Sequence, residues 1–122
     1  MSETILPMHV DRRLIQLSRE LDTATNWLCE AEEGFMAAKT AHDLAAATSR
    51  MRIKQRMIEN GEKPTVQEID DRALIAIREE LTSLNAAEGV VKAARANSAR
   101  LRVQIDIARS VGASVRAAMD VG

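Results

Sequence analysis

The sequence predicts an all-α fold, a long antiparallel and coiled-coil-like helical hairpin that assembles into a helical oligomer. A single turn signal, Asn60-Gly61-Glu62-Lys63-Pro64-Thr65, stands almost midway along the 122 residues. On both sides of it, apolar residues recur in alternating steps of four and three, as in a heptad seam. The chain has one Trp, one Phe and no Tyr. Its core must therefore use aliphatic side chains and alanine, which favours helix packed on helix.

The boundaries of the helices follow from residues that start and end helices. Asn60 and Gly61 end the first helix, because glycine takes the left-handed conformation without a steric penalty. Thr65 and Glu68 form a capping box, in which each side chain satisfies a free N–H at the start of the second helix. The predicted organisation is a lead-in at 1–8, a first helix at 9–59, a turn at 60–65 and a second helix at 66–119, within a single domain, 1–122.

The apolar seam can be followed along both helices. On the first it comprises Val10, Leu14, Leu17, Leu21, Ala24, Leu28, Ala31, Phe35 and Ala38, then slips and resumes at Ala41, Leu44, Thr48, Met51, Gln55 and Ile58. On the second, one run comprises Leu74, Ile77, Leu81 and Leu84. Another run begins at Leu84 after a slip, where two steps of three meet, and continues through Ala87, Val91, Ala94, Ser98, Leu101, Ile105, Ala108, Gly112, Val115 and Met119. Each slip lies at a similar distance from the turn, so the two slips face each other in an antiparallel hairpin.

Apolar residues outside the seam predict self-association. Val103, Ile107 and Val111 are four residues apart and form a second stripe, which a monomeric hairpin leaves in water. Trp27 and Val90 lie on the apolar border of the seam. The predicted oligomer interface is Trp27, Val90, Val103, Ile107 and Val111. Trp27 can alternatively stack on a nucleic-acid base, although packing at the seam edge is the preferred interpretation.

Four arginines, Arg95, Arg102, Arg109 and Arg116, are spaced by seven and form a row on the opposite border. In an antiparallel hairpin the two end arginines, Arg116 and Arg95, face Asp11 and Glu32. Arg102 and Arg109 face only hydroxyls. The row is either a salt-bridged border that sets register or a set of cations that can meet phosphates.

A second basic group, Arg50, Arg52, Lys54 and Arg56, lies just before the turn. Steps of two along a helix do not form one face. These side chains either cover an Ala- and Met-rich seam with their aliphatic stems or hold a phosphate backbone. With Arg102 and Arg109, they are the predicted nucleic-acid-binding residues.

Composition and motifs exclude several other classes. The net charge is −1, so bulk charge indicates no membrane or nucleic-acid partner. The single cysteine, Cys29, and the absence of a signal peptide or apolar span favour a soluble, cytoplasmic protein. His9 and His42 lack companions at metal-ligand spacing. We therefore expect no metal, no cofactor, no small-molecule substrate and no enzymatic activity.

The layout of the middle of the chain resembles a known family. A basic segment at 50–56 precedes Gly61, and a long helix then leads to an arginine-bearing segment at 98–109. Over residues 35–110 this layout resembles the UvsY-like recombination mediator proteins of tailed phages. The resemblance implies a homo-oligomer in the cytoplasm of a bacterial host that binds single-stranded DNA through Lys54 and Arg56. It also implies that the protein helps a recombinase, with a single-strand-binding protein as another partner.

Three classes of function thus remain open. The first is the oligomeric DNA-recombination accessory that the resemblance implies. The second is a structural or scaffolding coiled-coil protein with no nucleic-acid role. The third is a small helical adaptor or inhibitor that captures a partner helix.

Overall fold

The computed structural model describes residues 4–121, and nearly all of them are helical. Helix α1 spans Pro7–Glu59, α2 spans Val66–Ala76 and α3 spans Arg78–Val121. No β-strand occurs within residues 4–121, and the all-α prediction is confirmed. The predicted lead-in at 1–8 lies partly outside the described residues. Its described part is shorter than expected, since α1 begins at Pro7, a residue that fits the first turn of a helix.

The end of α1 is set by Gly61, which has a φ of +74°. The Gly61 N–H donates to the Ile58 carbonyl at 3.1 Å, and the Glu62 N–H donates to the Met57 carbonyl at 2.8 Å. This pair of bonds is the Schellman motif, which requires a left-handed residue at the position of Gly61. The turn chemistry predicted for Asn60-Gly61 is therefore confirmed.

The start of α2 is capped by Thr65, whose hydroxyl accepts from the Glu68 N–H at 3.3 Å. The Glu68 carboxylate instead accepts from Arg72 at 3.0 Å, so the described chain contains only the Thr65 half of the expected capping box. Arg72 also reaches Glu62 at 3.4 Å. The hydrogen bond with Glu68 raises the pKa of Arg72 above its ordinary value. Arg72 thus links Glu62 in the turn to Glu68 in the first turn of α2.

The predicted second helix is divided in two at Ile77, which has a φ of −105° and a ψ of 18°. The Ile77 N–H still donates to the Ala73 carbonyl at 3.0 Å, and the Leu81 N–H donates to the Ile77 carbonyl at 2.9 Å. Because hydrogen bonds of helical spacing continue on both sides, the break is a local distortion. Ile77 is neither Gly nor Pro, so no residue type marks this position in the sequence. Helix α3 then runs to Val121, two residues past the predicted end.

The chain divides into two compact units. Unit 1 contains the described residues up to Glu30 together with those from Lys92 onward. Its core is a cluster of Leu17, Ala24, Leu101 and Ile105, against which Leu14, Leu21 and Ala108 pack. These residues belong to the predicted seam, and their side chains are buried or half-buried. The seam prediction is therefore confirmed within this unit, except at exposed Met119.

Two contacts join α1 to α3 at the far end of unit 1. Arg116 donates to the Asp11 carboxylate at 2.9 Å, which confirms this pair of the predicted border. Gly112 is buried, and a Cβ added to it would lie only 2.9 Å from Val10 Cγ1. Glycine thus lets the two backbones approach closely here.

Unit 2 comprises Ala31–Val91, and here part of the seam prediction is wrong. Its buried apolar residues come from every helix: Ala31, Ala46, Met57, Ala73, Ile77 and Val91. The predicted continuation of the α1 seam is exposed at all six positions: Ala41, Leu44, Thr48, Met51, Gln55 and Ile58. The inward face runs instead through His42, Ala45, Ala46, Ser49, Ile53 and Met57. The four-three spacing that reaches Ala38 continues through His42, Ala45 and Ser49, and steps of four then lead to Ile53 and Met57, as expected for an unbroken helix of 3.6 residues per turn. In α2, Ala73 is likewise buried where Leu74 was expected.

Candidate nucleic-acid interface

A groove of about 600 Å³ in unit 1 has Trp27 on its wall. We call it the Trp27 groove. Helix α1 contributes Arg13, Arg19, Glu20, Thr23, Ala24 and Trp27, and α3 contributes Asn97, Arg100, Leu101 and Gln104. The buried pair Ala24 and Leu101 belongs to the core of the unit. The floor of the groove is therefore formed by core residues, and its charged side chains project from α1 and α3.

Cations dominate the charges of the Trp27 groove. Arg13, Arg19 and Arg100 oppose a single carboxylate, Glu20. Arg100 donates to the Asn97 side-chain oxygen at 3.0 Å, which orients its guanidinium along α3. Trp27 is 39% exposed, so part of its indole is in contact with solvent. An exposed indole in a groove that arginines also line can stack on a flat base while the arginines neutralise phosphates of the same strand.

A second, more apolar groove of about 430 Å³ adjoins the first and shares Arg13 and Gln104 with it. Its wall consists of Ile5, His9, Val10, Arg13, Leu17, Gln104, Ile107, Ala108 and Val111. The His9 Nδ1 accepts from the Leu6 N–H at 3.2 Å, so His9 holds the residues that precede α1. This groove is suited to apolar packing, since Arg13 and His9 contribute its only ionisable side chains among the described residues.

The predicted oligomer interface is distributed over several surfaces. Ile107 and Val111 line the apolar groove, and Trp27 lines its neighbour. Val103 is 57% exposed on α3 and lines neither groove. Val90 is also exposed but belongs to unit 2. The grooves therefore bring together three of the five predicted residues.

The arginines of the α3 row differ in whether they form ion pairs. Arg116 is paired with Asp11. Arg102 and Arg109 are exposed, and neither makes an ion pair or a side-chain hydrogen bond with any other described residue. At 100° per residue, both lie across the buried seam from Asn97 and Gln104. They therefore belong to a different border of unit 1 from the Trp27 groove. The pairing of Arg95 with Glu32 stays a prediction.

The basic group before the turn lies in unit 2, and one of its members is neutralised. Arg50 pairs with the Asp70 carboxylate at 3.2 Å. Arg52, Lys54 and Arg56 are exposed. Lys54 lines a small groove together with Arg50, Met51, Val66, Ile69 and Asp70. The Arg50–Asp70 pair removes one of the four charges that the sequence offered to a phosphate backbone.

The sequence alone did not indicate that Arg13, Arg19 and Arg100 belong to a binding surface. A spacing signal for the groove was present, because Arg13, Glu20 and Trp27 recur every seven residues and share one border of α1. Finding the groove also required Arg100, which comes close only when α3 packs against α1. An aromatic residue and three cations from two distant segments thus form one surface that periodicity along a single helix does not reveal.

A metal site or a membrane-spanning helix among the described residues would indicate another kind of function. Within residues 4–121, no three His, Cys, Asp or Glu side chains are grouped as metal ligands. No helix in this range combines the length and the apolar character needed to cross a membrane. Comparison with known proteins gives no match to any protein-family model, curated protein or solved structure.

Proposed function

We propose that this protein is a non-enzymatic, oligomeric helical protein that binds single-stranded DNA and assists a recombinase. The observation that supports DNA binding best is the Trp27 groove, which is lined by one indole and by Arg13, Arg19 and Arg100. Stacking on an aromatic side chain tolerates any base and is worth about 1–3 kcal/mol per base. The role in recombination rests on the layout shared with the phage mediator proteins.

Other exposed basic residues offer additional contacts to DNA phosphates. Arg102 and Arg109 are free to meet phosphates, and Arg52, Lys54 and Arg56 are exposed in unit 2. Each such contact is weak, and the net charge of the chain is −1. Repetition of the same contacts around an oligomer raises the overall affinity by avidity. Oligomerisation is therefore part of the proposed function.

The proposed assembly is built from antiparallel helical hairpins. Contacts between the two halves of the chain support antiparallel pairing, namely Asp11 with Arg116 in unit 1 and Arg50 with Asp70 in unit 2. The apolar groove beside Ile107 and Val111 offers the subunit contact. Ile107→Glu buries a carboxylate in that contact, which is costly when the charge has no partner. The mass of the assembly in solution should then fall while the helical circular dichroism signal is retained.

Trp27 allows a direct test of the groove, because it is the only Trp and the chain has no Tyr. Its emission should be quenched when a single-stranded oligonucleotide binds, since a base stacks on the indole. An abasic deoxyribose-phosphate oligomer of equal length carries the same charge but no bases. We expect it to bind more weakly and to leave the emission unchanged. Anisotropy of a labelled oligonucleotide measures binding independently of Trp27.

Neighbouring arginines provide a matched control. Arg13 lines the Trp27 groove and Arg12 does not, so the two Arg→Gln changes remove the same charge from adjacent positions. Arg13→Gln should lower the affinity and make the slope of affinity against salt shallower by about one ion. Arg12→Gln should have a smaller effect. If both variants bind equally well, the groove is not the DNA site. If the unmodified protein binds no oligonucleotide at low salt, DNA binding is excluded altogether.

A scaffolding role is the second candidate function, and one observation favours it. Many large apolar side chains are exposed, among them Leu44, Met51 and Ile75. Exposed apolar patches commonly mark sites of contact with other proteins. An assembly of defined mass that is unaffected by oligonucleotides would support this function instead. A monomer that associates only with another protein would support the adaptor class.

A further inference from the structure

The outward face of α1 in unit 2 carries a second apolar stripe. Leu44, Met51 and Ile58 are spaced by seven and are 65%, 74% and 58% exposed. Ala41, Thr48 and Gln55 alternate with them and are exposed as well. We call these six residues the outer stripe. Their steps of three and four are those of a heptad seam in which small or polar residues alternate with large apolar ones.

The outer stripe lies nearly opposite the face that α1 buries in its own unit. Ile53 is half-buried, whereas Met51, two residues earlier, points about 160° away from it at 100° per residue. A surface helix normally has one apolar face and one polar face. Helix α1 has two apolar faces over this segment, and its own unit covers only one of them.

The stripe is complementary in size to a reversed copy of itself. In an antiparallel pair centred between Ser49 and Arg50, Thr48 lies opposite Met51 of the second copy. In the same register Leu44 lies opposite Gln55, and Ala41 lies opposite Ile58. Every layer then combines one small or polar side chain with one large side chain, which lets the layers interdigitate. In a parallel pair each residue lies opposite the same residue of the second copy. Layers of two alanines or two threonines would then alternate with layers of two large side chains, such as two leucines or two methionines.

The charges beside the stripe permit the same register. Antiparallel helices bring each border of the seam against the equivalent border of the partner. Arg52 then faces Ala45, and Lys54 faces Ala47, so no like charges meet. Moving the register by one heptad in one direction brings Arg52 against Arg52 and Lys54 against Lys54, which is repulsive. Moving it by one heptad in the other direction avoids this repulsion but leaves only four of the six layers formed by stripe residues. Charge and the number of layers therefore select one register.

We propose that the outer stripe binds the outer stripe of a second copy of this chain, antiparallel and centred between Ser49 and Arg50. This contact is separate from the apolar groove of unit 1 and does not depend on DNA binding. Its two-fold symmetry requires only one surface from each chain. The occupant is a second copy because the stripe complements itself in side-chain size and brings no like charges together.

Disulfide formation between mixed variants tests the register. Leu44→Cys and Gln55→Cys are made separately in a Cys29→Ser background, which removes the exposed native thiol. In the proposed pair the two new thiols lie in one layer, whereas identical thiols are eleven residues, or about 16 Å, apart along the helix. A disulfide bridges Cα atoms only up to about 7 Å apart. We expect the oxidised mixture to form covalent dimers at least tenfold faster than either variant alone.

Further variants separate this contact from others. Met51→Glu, added to both cysteine variants, should abolish the cross-link. Ile75→Glu, at a position 69% exposed on α2, should leave it unchanged, and so should Ile107→Glu in the other unit. Rapid cross-linking of each cysteine variant with itself would show parallel pairing and overturn the proposal. It is also overturned if the mixture forms no covalent dimer or if Met51→Glu has no effect.

Discussion

Gly112→Ala is the change that tests most directly how α1 and α3 pack. The new methyl group would lie 2.9 Å from Val10 Cγ1 and 3.9 Å from Val10 Cβ. Val10 is only 5% exposed, and its β-branched side chain has one strongly preferred rotamer in a helix. It therefore cannot move aside without a cost. Gly89 serves as a matched position within the same helix, because nothing lies within 4 Å of a Cβ added there.

Two opposing terms set the magnitude. Replacing Gly by Ala inside a helix raises the free energy of unfolding by about 1 kcal/mol. Overpacking a well-filled contact lowers it by about 1–3 kcal/mol. Gly89→Ala should therefore stabilise the protein by about 1 kcal/mol, whereas Gly112→Ala should destabilise it by up to about 2 kcal/mol. Since helix propensity contributes equally to both variants, the difference between them isolates the clash with Val10.

Urea unfolding followed by circular dichroism measures both free energies, at one protein concentration because the proposed self-association would also affect stability. A double-mutant cycle with Val10→Ala identifies the partner. The smaller side chain makes room for the methyl group, so Gly112→Ala should cost less in that background. If Gly112→Ala stabilises the protein as much as Gly89→Ala does, the close approach of Gly112 to Val10 does not exist and the packing described for unit 1 is wrong.

Three further predictions concern stability. Ser98 has a buried hydroxyl without a hydrogen-bond partner among the described residues. Ser98→Ala should therefore raise the free energy of unfolding by about 1–2 kcal/mol. The control Ser83→Ala, on the exposed face, should raise it by at most about 0.5 kcal/mol. Equal effects would mean that the Ser98 hydroxyl has a hydrogen-bond partner. Gly61→Ala should lower the free energy by about 1–2 kcal/mol, because its φ of +74° is left-handed; a gain, as at Gly89, would contradict that turn. The Asp11–Arg116 pair joins side chains that are more than half exposed. A double-mutant cycle should therefore give a coupling energy below about 1 kcal/mol, and this coupling should disappear in high salt. A larger coupling energy would indicate that the pair is buried.

The sequence predicted the helical segments and the helix ends beside the turn at 60–65, because these depend on local chemistry, but it did not predict the break at Ile77. Gly61 was predicted to be left-handed since no other residue there adopts that conformation without strain, and Thr65 was predicted as a cap because its hydroxyl can accept a free N–H. The buried seam of unit 1 could also be predicted from the sequence. Leu17 and Leu101 share their faces with residues three and four positions away, and helical spacing alone establishes that.

Tertiary structure decided which residues of the α1 segment at 41–58 face inward. The segment has two periodic faces, and the larger apolar side chains, such as Leu44 and Met51, pointed to the wrong one. Periodicity identifies residues that share a face but not the direction in which that face points. The rotation of α1 is fixed earlier in the helix, where Leu17 and Ala24 are buried. A continuous helix carries that phase forward, and so His42 and Ser49 are turned inward while Met51 is left in solvent.

The Trp27 groove was likewise decided by packing. The seven-residue spacing of Arg13, Glu20 and Trp27 is present in the sequence, but Arg100 is more than seventy residues away along the chain. No spacing rule connects residues so far apart, since their separation depends on how two helices are paired and rotated. Local patterns fix each helix because its hydrogen bonds join neighbouring residues. A surface shared by two helices is fixed only when their side chains pack against each other.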